Sequence, residues 1–445
     1  MLTIHAAAEQ IRDGQLSPVE LLETCLRRID EQEPKVRAWV FVDPERARAE
    51  AQALTGELRN GHWRGPLHGI PVGIKDIIDV FDWPTAAGSQ LWANSVARQD
   101  AVVVRRLRSA GAVLVGKTVT TQYASFDPPP TRNPWRLDRT PGGSSSGSAA
   151  AVACGMCLAA LGSQTGGSIC RPAAFCGVVG LKPTYGRVSC DGLLPLAHSM
   201  DHPGPLTRCV RDLAILLQVI AGPDPLDPGA AESFVPDYQA GLRQARQPPQ
   251  LGRPRGLFES RADPATLEMM DKACEQLQSQ GAVIRDVALP ASFADVIARH
   301  RMVMGVESAI FHESRLRRHP EDYDPNIRSL LEEGLACSAP EYARTKEHQR
   351  LLRQEIEACI QTVDALVTPA APGPAPDAAT TGDPVFNSPW SYTGLPTVCF
   401  PMGRSLEGLP LGLQLVGRPW GEEGLLAVAA WCEDVLGFQM GEPEL

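Results

Sequence analysis

TPGGSSSGS (residues 140–148), AAAVACGMCLAALG (149–162) and the overlapping GSQTGGS (162–168) form one continuous stretch in which two Gly/Ser clusters bracket an apolar run. A flexible linker can be rich in Gly and Ser. Both clusters here, however, run into Ala, Val, Cys and Leu, so they are expected inside the protein. The fourteen residues 149–162 are mostly small. They fall short of the ~20 that a membrane helix needs and read as a buried helix. Buried hydroxyls need partners. Gly166-Gly167-Ser168 also lets backbone approach a ligand closely and aim several N–H groups at one point, which is what a developing oxyanion requires.

Outward from that stretch, VVVRRLRSAG (102–111) followed by AVLVGKT (112–118) reads as helix, Gly stop and short buried strand, the alternation of an α/β sheet with parallel strands. LHGIPVGIKDIIDV (67–80) reads as buried strand and turn. Ser17-Pro18-Val19-Glu20 has capping-box spacing ahead of an amphipathic helix. Residues 222–256 are Pro-rich surface loop. Asp263 and Pro264 then open a helix that stops at Gly281, ahead of strand-like AVIRDVALP, and 291–363 look mainly helical.

Composition narrows the function classes. With 42 Lys+Arg against 52 Asp+Glu the formal charge is −10, which disfavours a nucleic-acid binder. With 43% hydrophobic and 21% charged residues the chain is globular in composition. The N-terminal residues lack the order of a secretory signal, and the twelve cysteines are scattered, so reduced thiols in a cytoplasmic, non-membrane protein are expected. Only six of the basic residues are Lys. A Lys in an apolar segment, such as Lys75 or Lys182, therefore stands out, because desolvation favours the neutral amine that can act as a base.

Several motifs are weaker than they look. Gly111 to Thr118 satisfies GxxxxGK[ST], but AVLV is the strand itself and no helix start follows. A nucleotide-binding protein is therefore the distant alternative. His198 and His202 flank Asp201 at short spacing, yet Pro203 and Gly204 make incidental loop histidines the simpler view. Cys154 and Cys157 form a lone CxxC, and His312-Glu313 does not complete HExxH.

GIPVGIKD (69–76), TRNPWRLDRTPGGSSSGSAAAVA (131–153) and GSQTGGSICRPAAFCGVVGLKPTYGRVS (162–189), in that order, resemble the amidase signature hydrolases. The segments SMDHPGPLTRCVRD, GLPTVCFPMG and GLPLGLQLVGRP also fit. The resemblance implies a large mixed twisted β-sheet covered by helices on both faces, in one domain over 1–445, with a divergent, mainly helical substrate-entrance region at 225–360. It places the catalytic lysine on Lys75, a bridging serine after a cis peptide on Ser144, and the nucleophile on Ser168.

The implied reaction is hydrolysis of a linear C–N acyl bond, with backbone N–H groups of Thr165, Gly166, Gly167 and Ser168 as oxyanion hole and no metal or cofactor. Gly143, Tyr123 and Trp390 are the expected substrate contacts, and Lys182 is expected to pair with a carbonyl or carboxylate. The expected partner is a small amide, ester or carbamate, without nucleic acid or membrane, in a chain that could form a homodimer. The glutaminase subunit of a tRNA-dependent amidotransferase is the alternative function within the family. Two departures stand out: Gln164 replaces a usual Asp, and Cys170 replaces a usual Arg, with Arg171 one position later. They suggest an ion pair lost or rebuilt behind the nucleophile turn. The proline-rich loop 126–130 is expected to reshape one pocket wall.

Overall fold

The strand expected from AVLVGKT forms over Val113–Thr118, and its alternate side chains enter different cores. Val113 and Val115 pack with Leu22, Ala47, Ala150 and Cys157, whereas Leu114 packs with Leu107, Leu161 and Leu213. Successive Cβ atoms of a strand point to opposite faces, so a sheet covered on both faces reads as a continuous apolar run.

The computed structural model describes the chain apart from residues 231, 245, 246 and 439 and the side chains of 243 and 244. Among the described residues the strands are β1 (Trp39–Val42), β2 (Pro71–Lys75), β3 (Val113–Thr118), β4 (Ala159–Gln164), β5 (Val179–Lys182), β6 (His202–Thr207), β7 (Gln250–Pro254), β8 (Val283–Val287), β9 (Ala365–Pro369), β10 (Thr397–Arg404) and β11 (Pro410–Val416). They make one sheet in the order β1-β3-β2-β4-β6-β5-β10-β11-β9-β7-β8. Strands β3, β2 and β4 run parallel to one another, as do β9, β7 and β8. The strands between these two groups pair antiparallel. The mixed sheet with helical cover is the architecture expected from the sequence.

Local signals hold where capping chemistry is explicit. The helix Pro18–Val36 starts with a complete capping box, in which Ser17 and Glu20 satisfy each other's backbone N–H groups, and Pro264–Ser279 starts with Asp263 accepting from Thr266 N at 2.7 Å. The 225–360 segment, whose residues 231, 245 and 246 lie outside the described residues, supplies β7 and β8 at the sheet edge. It then supplies the helices Val296–Arg318, Pro325–Ala336 and Ala339–Ile360.

Three local expectations fail, one of them at 222–256, which holds the helix Tyr238–Gln244 and strand β7 rather than surface loop throughout. The run 149–162 is not a single helix: the helix Ser146–Ala153 stops at Cys154 and Gly155, the latter at φ +67°, and Ala159–Gln164 is a central strand. Small apolar residues suit both elements, and only the Gly in the left-handed region marks the break. His202 likewise opens β6 rather than lying in a loop.

The formal phosphate-loop match is resolved by burial. Lys117 lies on β3 and its ammonium is fully buried, 2.8 Å from Asp76 Oδ1, 2.7 Å from Pro84 O and 3.0 Å from Thr85 Oγ1. Burial pushes the Lys117 pKa down and the Asp76 pKa up, and the partner opposes the shift in each case. All three ammonium donors are spent inside the protein. Asp76→Ala would leave a buried cation unpaired and should destabilise the fold by about 3–5 kcal/mol in urea unfolding. ATP or GTP with magnesium should leave the melting temperature unchanged. A nucleotide held at ~100 times its dissociation constant would add about 2.7 kcal/mol, and such a rise would reinstate the phosphate loop.

Candidate active site

Lys75 is the last residue of β2, between β3 and β4 in the sheet, and its side chain has no exposed surface. Its Nζ lies 2.8 Å from Ser144 Oγ, 2.8 Å from Ser163 Oγ and 3.4 Å from Ser163 O. Ser163 comes from the neighbouring β4, and Ser144 from the Gly/Ser cluster just ahead of the helix Ser146–Ala153, with a cis Gly143–Ser144 peptide. No described carboxylate bonds to the amine. Burial drives the Lys75 pKa well below that of an ordinary lysine, and the charge of Asp201 opposes this only in part.

Between the end of β4 and the helix Cys170–Cys176 lies the turn 165–168, and its carbonyls are tied from outside. Thr165 O accepts from His300 Nε2 at 2.9 Å, Gly166 O from Ser391 Oγ at 2.8 Å, and Ser168 O from Ser145 N at 3.2 Å. The Thr165 hydroxyl donates to Asp201, whose carboxylate also accepts from Leu196 N and Ala197 N at 2.9 and 3.1 Å. Burial pushes the Asp201 pKa up to about 6. None of the described residues accepts from the N–H groups of Thr165, Gly166, Gly167 or Ser168. The turn therefore keeps donors free while its acceptors are used, the polarity that suits a developing negative charge. A Cβ on Gly167 would stand 2.6 Å from Asn387 Oδ1, so the close packing of the turn requires glycine there.

The two departures are accommodated without an ion pair. Gln164 Oε1 accepts from Ile169 N at 2.9 Å and Cys170 N at 3.0 Å, and its Nε2 donates to Ser391 Oγ at 3.1 Å. Cys170 Sγ sits 3.2 Å from Thr397 Oγ1. Arg171, almost wholly buried, donates to Gly143 O at 2.7 Å, Thr381 Oγ1 at 3.2 Å and Gly382 O at 2.9 Å, which fixes the carbonyl of the cis peptide. Lys182 donates to the carbonyls of Leu395 and Pro183, a structural arrangement, and burial lowers its pKa to about 7.

Ser168 opens on a cavity of about 440 Å³ walled by Phe126, Arg171, His300, Arg301, Met304 and Asp383 among others. Phe126 belongs to the proline-rich loop and packs beneath the Arg301 guanidinium. Two expected substrate contacts belong to the core instead. Tyr123 is fully buried, donates to Asp322 and packs against His312 and Tyr323. Trp390 stacks on Phe258 with ring centres 6.0 Å apart and packs against Phe293. Neither lines the Ser168 cavity, because aromatic area in both cases is spent on neighbouring rings. Gly143, the third, is not among the residues that line this cavity, and its carbonyl accepts from Arg171.

Other chemistry-bearing groups are engaged elsewhere. His202 Nδ1 bonds Gln164 O at 3.0 Å, whereas exposed His198 faces Glu307, so the two imidazoles do not converge. His5, Cys209 and Asp212 cluster at metal-ligand distances, but the Asp212 carboxylate already accepts from Ile4 N and His5 N at 2.7 and 3.0 Å, at the start of the helix Ile4–Arg12. Ser163, Asp201 and His300 join the site without a sequence signal of their own. Asp201 stands out in the sequence only as a neighbour of two histidines, and nothing in the residues around His300 marks it.

The family model described as "Amidase" matches residues 20–426. Across all of this chain and 98% of the relative, the identity is 38% with a glutamyl-tRNA(Gln) amidotransferase subunit of Roseiflexus sp. (strain RS-1). An amidase of Pseudomonas putida shares the same 38% identity and the same coverage of both chains. The solved native peptide amidase from Stenotrophomonas maltophilia superposes with a TM-score of 0.89 at 32% identity, over 99% of this chain and 98% of that one. No helix among the described residues is long and apolar enough to cross a membrane. With the sheet, the buried lysine and the Gly-Gly-Ser turn in hand, the chain belongs to the amidase family, the amidase signature enzymes, and hydrolyses amides.

Proposed function

We propose that Ser168 is the nucleophile of an acyl-enzyme mechanism in which Ser144 relays its proton to neutral Lys75. The observation that carries this is a fully buried amine 2.8 Å from the Ser144 hydroxyl, which burial drives toward the neutral form. In the first half-reaction Ser168 Oγ bonds the carbonyl carbon. Its proton passes to Ser144 as the Ser144 proton passes to Lys75 Nζ, and the carbonyl becomes an oxyanion facing the N–H groups of residues 165–168. Collapse breaks the C–N bond, and the relay returns the proton to the leaving nitrogen. Water then adds to the acyl-enzyme by the same route and restores Ser168.

The substrate is a small linear amide, ester or carbamate, and nucleic acid has no part in the reaction. A chain of formal charge −10 supports that restriction. The helices of the 225–360 segment form the substrate entrance, since Ile297, His300, Arg301, Met304, Asn326 and Ser329 all reach the Ser168 cavity. A second reading, the glutaminase subunit of an amidotransferase, is favoured by the 38% identity to an amidotransferase component. Turnover of butyramide by the isolated chain, well above that of glutamine, is the expected outcome of a substrate screen. Hydrolysis of glutamine alone would favour the second reading.

Ser168→Ala should lower kcat by about 10⁴-fold or more and abolish labelling by a fluorophosphonate while the melting temperature holds. Undiminished turnover would remove Ser168 from the mechanism. The pH profile has a definite sign. Only the neutral amine accepts a proton, so the rate rises with pH through the depressed Lys75 pKa and is lost in acid. Lys75→Arg should not restore activity, because a guanidinium stays protonated over the accessible range. A Lys75→Arg protein with near wild-type turnover would rule out the lysine base.

A further inference from the structure

His300 stands in the wall of the Ser168 cavity on the helix Val296–Arg318, only 3% exposed, with its ring beside the turn. A Cβ built on Gly166 would lie 3.5 Å from His300 Cε1. The tautomer follows from its partner: Thr165 O is a carbonyl and can only accept, so the nitrogen 2.9 Å away, Nε2, carries the proton. Burial lowers the His300 pKa to about 4, so the ring is neutral near pH 7 and Nδ1 presents a bare lone pair. No described residue bonds to Nδ1. One cavity is thus lined both by the turn residues Gly166, Gly167 and Ser168, whose N–H groups are free, and by an imidazole with one free acceptor.

That donor–acceptor pair has a chemical complement. A primary carboxamide, carbamate or urea –CO–NH₂ carries an N–H on the same side as its carbonyl oxygen. In a trans secondary amide a carbon substituent occupies that position, and an ester has no N–H at all. We infer that His300 is a specificity-determining residue whose Nδ1 accepts the N–H lying syn to the scissile carbonyl oxygen, so that the enzyme selects terminal –CO–NH₂ groups over N-substituted amides and esters. The same ring holds Thr165 through Nε2, so substrate selection and the shape of the turn meet in one side chain. The inference rests on Ser168 being the nucleophile.

Two replacements separate the two nitrogens. His300→Gln places an amide N–H where Nε2 was and keeps a donor for Thr165 O but loses the acceptor at Nδ1. His300→Asn places an amide oxygen near the Nδ1 position and loses the tie to Thr165. The readout is the kcat/KM ratio of butyramide to N-methylbutyramide, followed as released ammonia and methylamine.

His300→Gln should lower that ratio roughly ten-fold, the scale of one neutral hydrogen bond, whereas His300→Asn should keep the ratio while kcat falls for both substrates. An unchanged ratio in His300→Gln, or equal losses on both substrates in both variants, would overturn the inference and leave a purely structural histidine. Ser168→Ala run alongside separates the two ideas. Turnover retained there contradicts the nucleophile assignment, whereas turnover lost there with an unaltered His300→Gln ratio contradicts only the role of His300.

Discussion

A lysine amine in the middle of a sheet, with no carboxylate bonded to it among the described residues, is the constraint around which the rest is arranged. Lys75 can sit there because β2 has neighbours on both sides and because two hydroxyls, from Ser144 and Ser163, satisfy its hydrogen-bonding capacity without supplying charge. A carboxylate at the same place would fix the ammonium form, as Asp76 favours it at Lys117 one strand away. The two lysines make a natural contrast. Both are buried on adjacent strands, and their partners differ: hydroxyls leave an amine free to exchange a proton, and a carboxylate builds a structural pair.

The Gly/Ser segments are the covalent expression of that constraint. Small side chains let the helix Ser146–Ala153 and the turn 165–168 crowd against the end of the sheet, and the hydroxyls knit them together. Ser145 Oγ accepts from Ser163 N at 3.2 Å, and Ser145 N donates to Ser168 O. Lys75, Ser144 and the turn 165–168 belong to three separate stretches of sequence, yet Lys75 bonds Ser144 and the adjacent Ser145 bonds the turn at Ser168. Arg171 extends the network to the cis peptide from the opposite side. Such a network is rigid because its acceptors have donors, which leaves the N–H groups of the turn unspent.

Much of this is legible in the sequence, and the illegible parts have physical causes. Capping boxes, Gly stops and apolar strands are local signals, and they recover the helix at Pro18, the helix at Pro264 and strands β2 and β3. The run 149–162 misleads because Ala, Cys and Leu serve a buried helix and a buried strand equally well, so the break at Gly155 carries the information. Tyr123 and Trp390 mislead because the partners of a buried aromatic ring lie far along the chain: Asp322 and Tyr323 for one, Phe258 and Phe293 for the other. Asp201 and His300 cannot be found by spacing at all. Each acquires its role from a contact with Thr165 that no local pattern encodes.

The helix Val296–Arg318 carries no motif of its own, yet through His300 it reaches the turn 165–168. Wall and machinery are therefore not independent modules. A designer who exchanges this helix to widen the cavity also removes the donor that pins Thr165 O, and would see a looser turn misattributed to a poorer fit of substrate. A new wall keeps the turn held only if it brings its own donor to that carbonyl or finds another way to hold it. Pocket grafts on this scaffold should therefore be designed outward from the Thr165 contact, with the rest of the helix treated as the variable part.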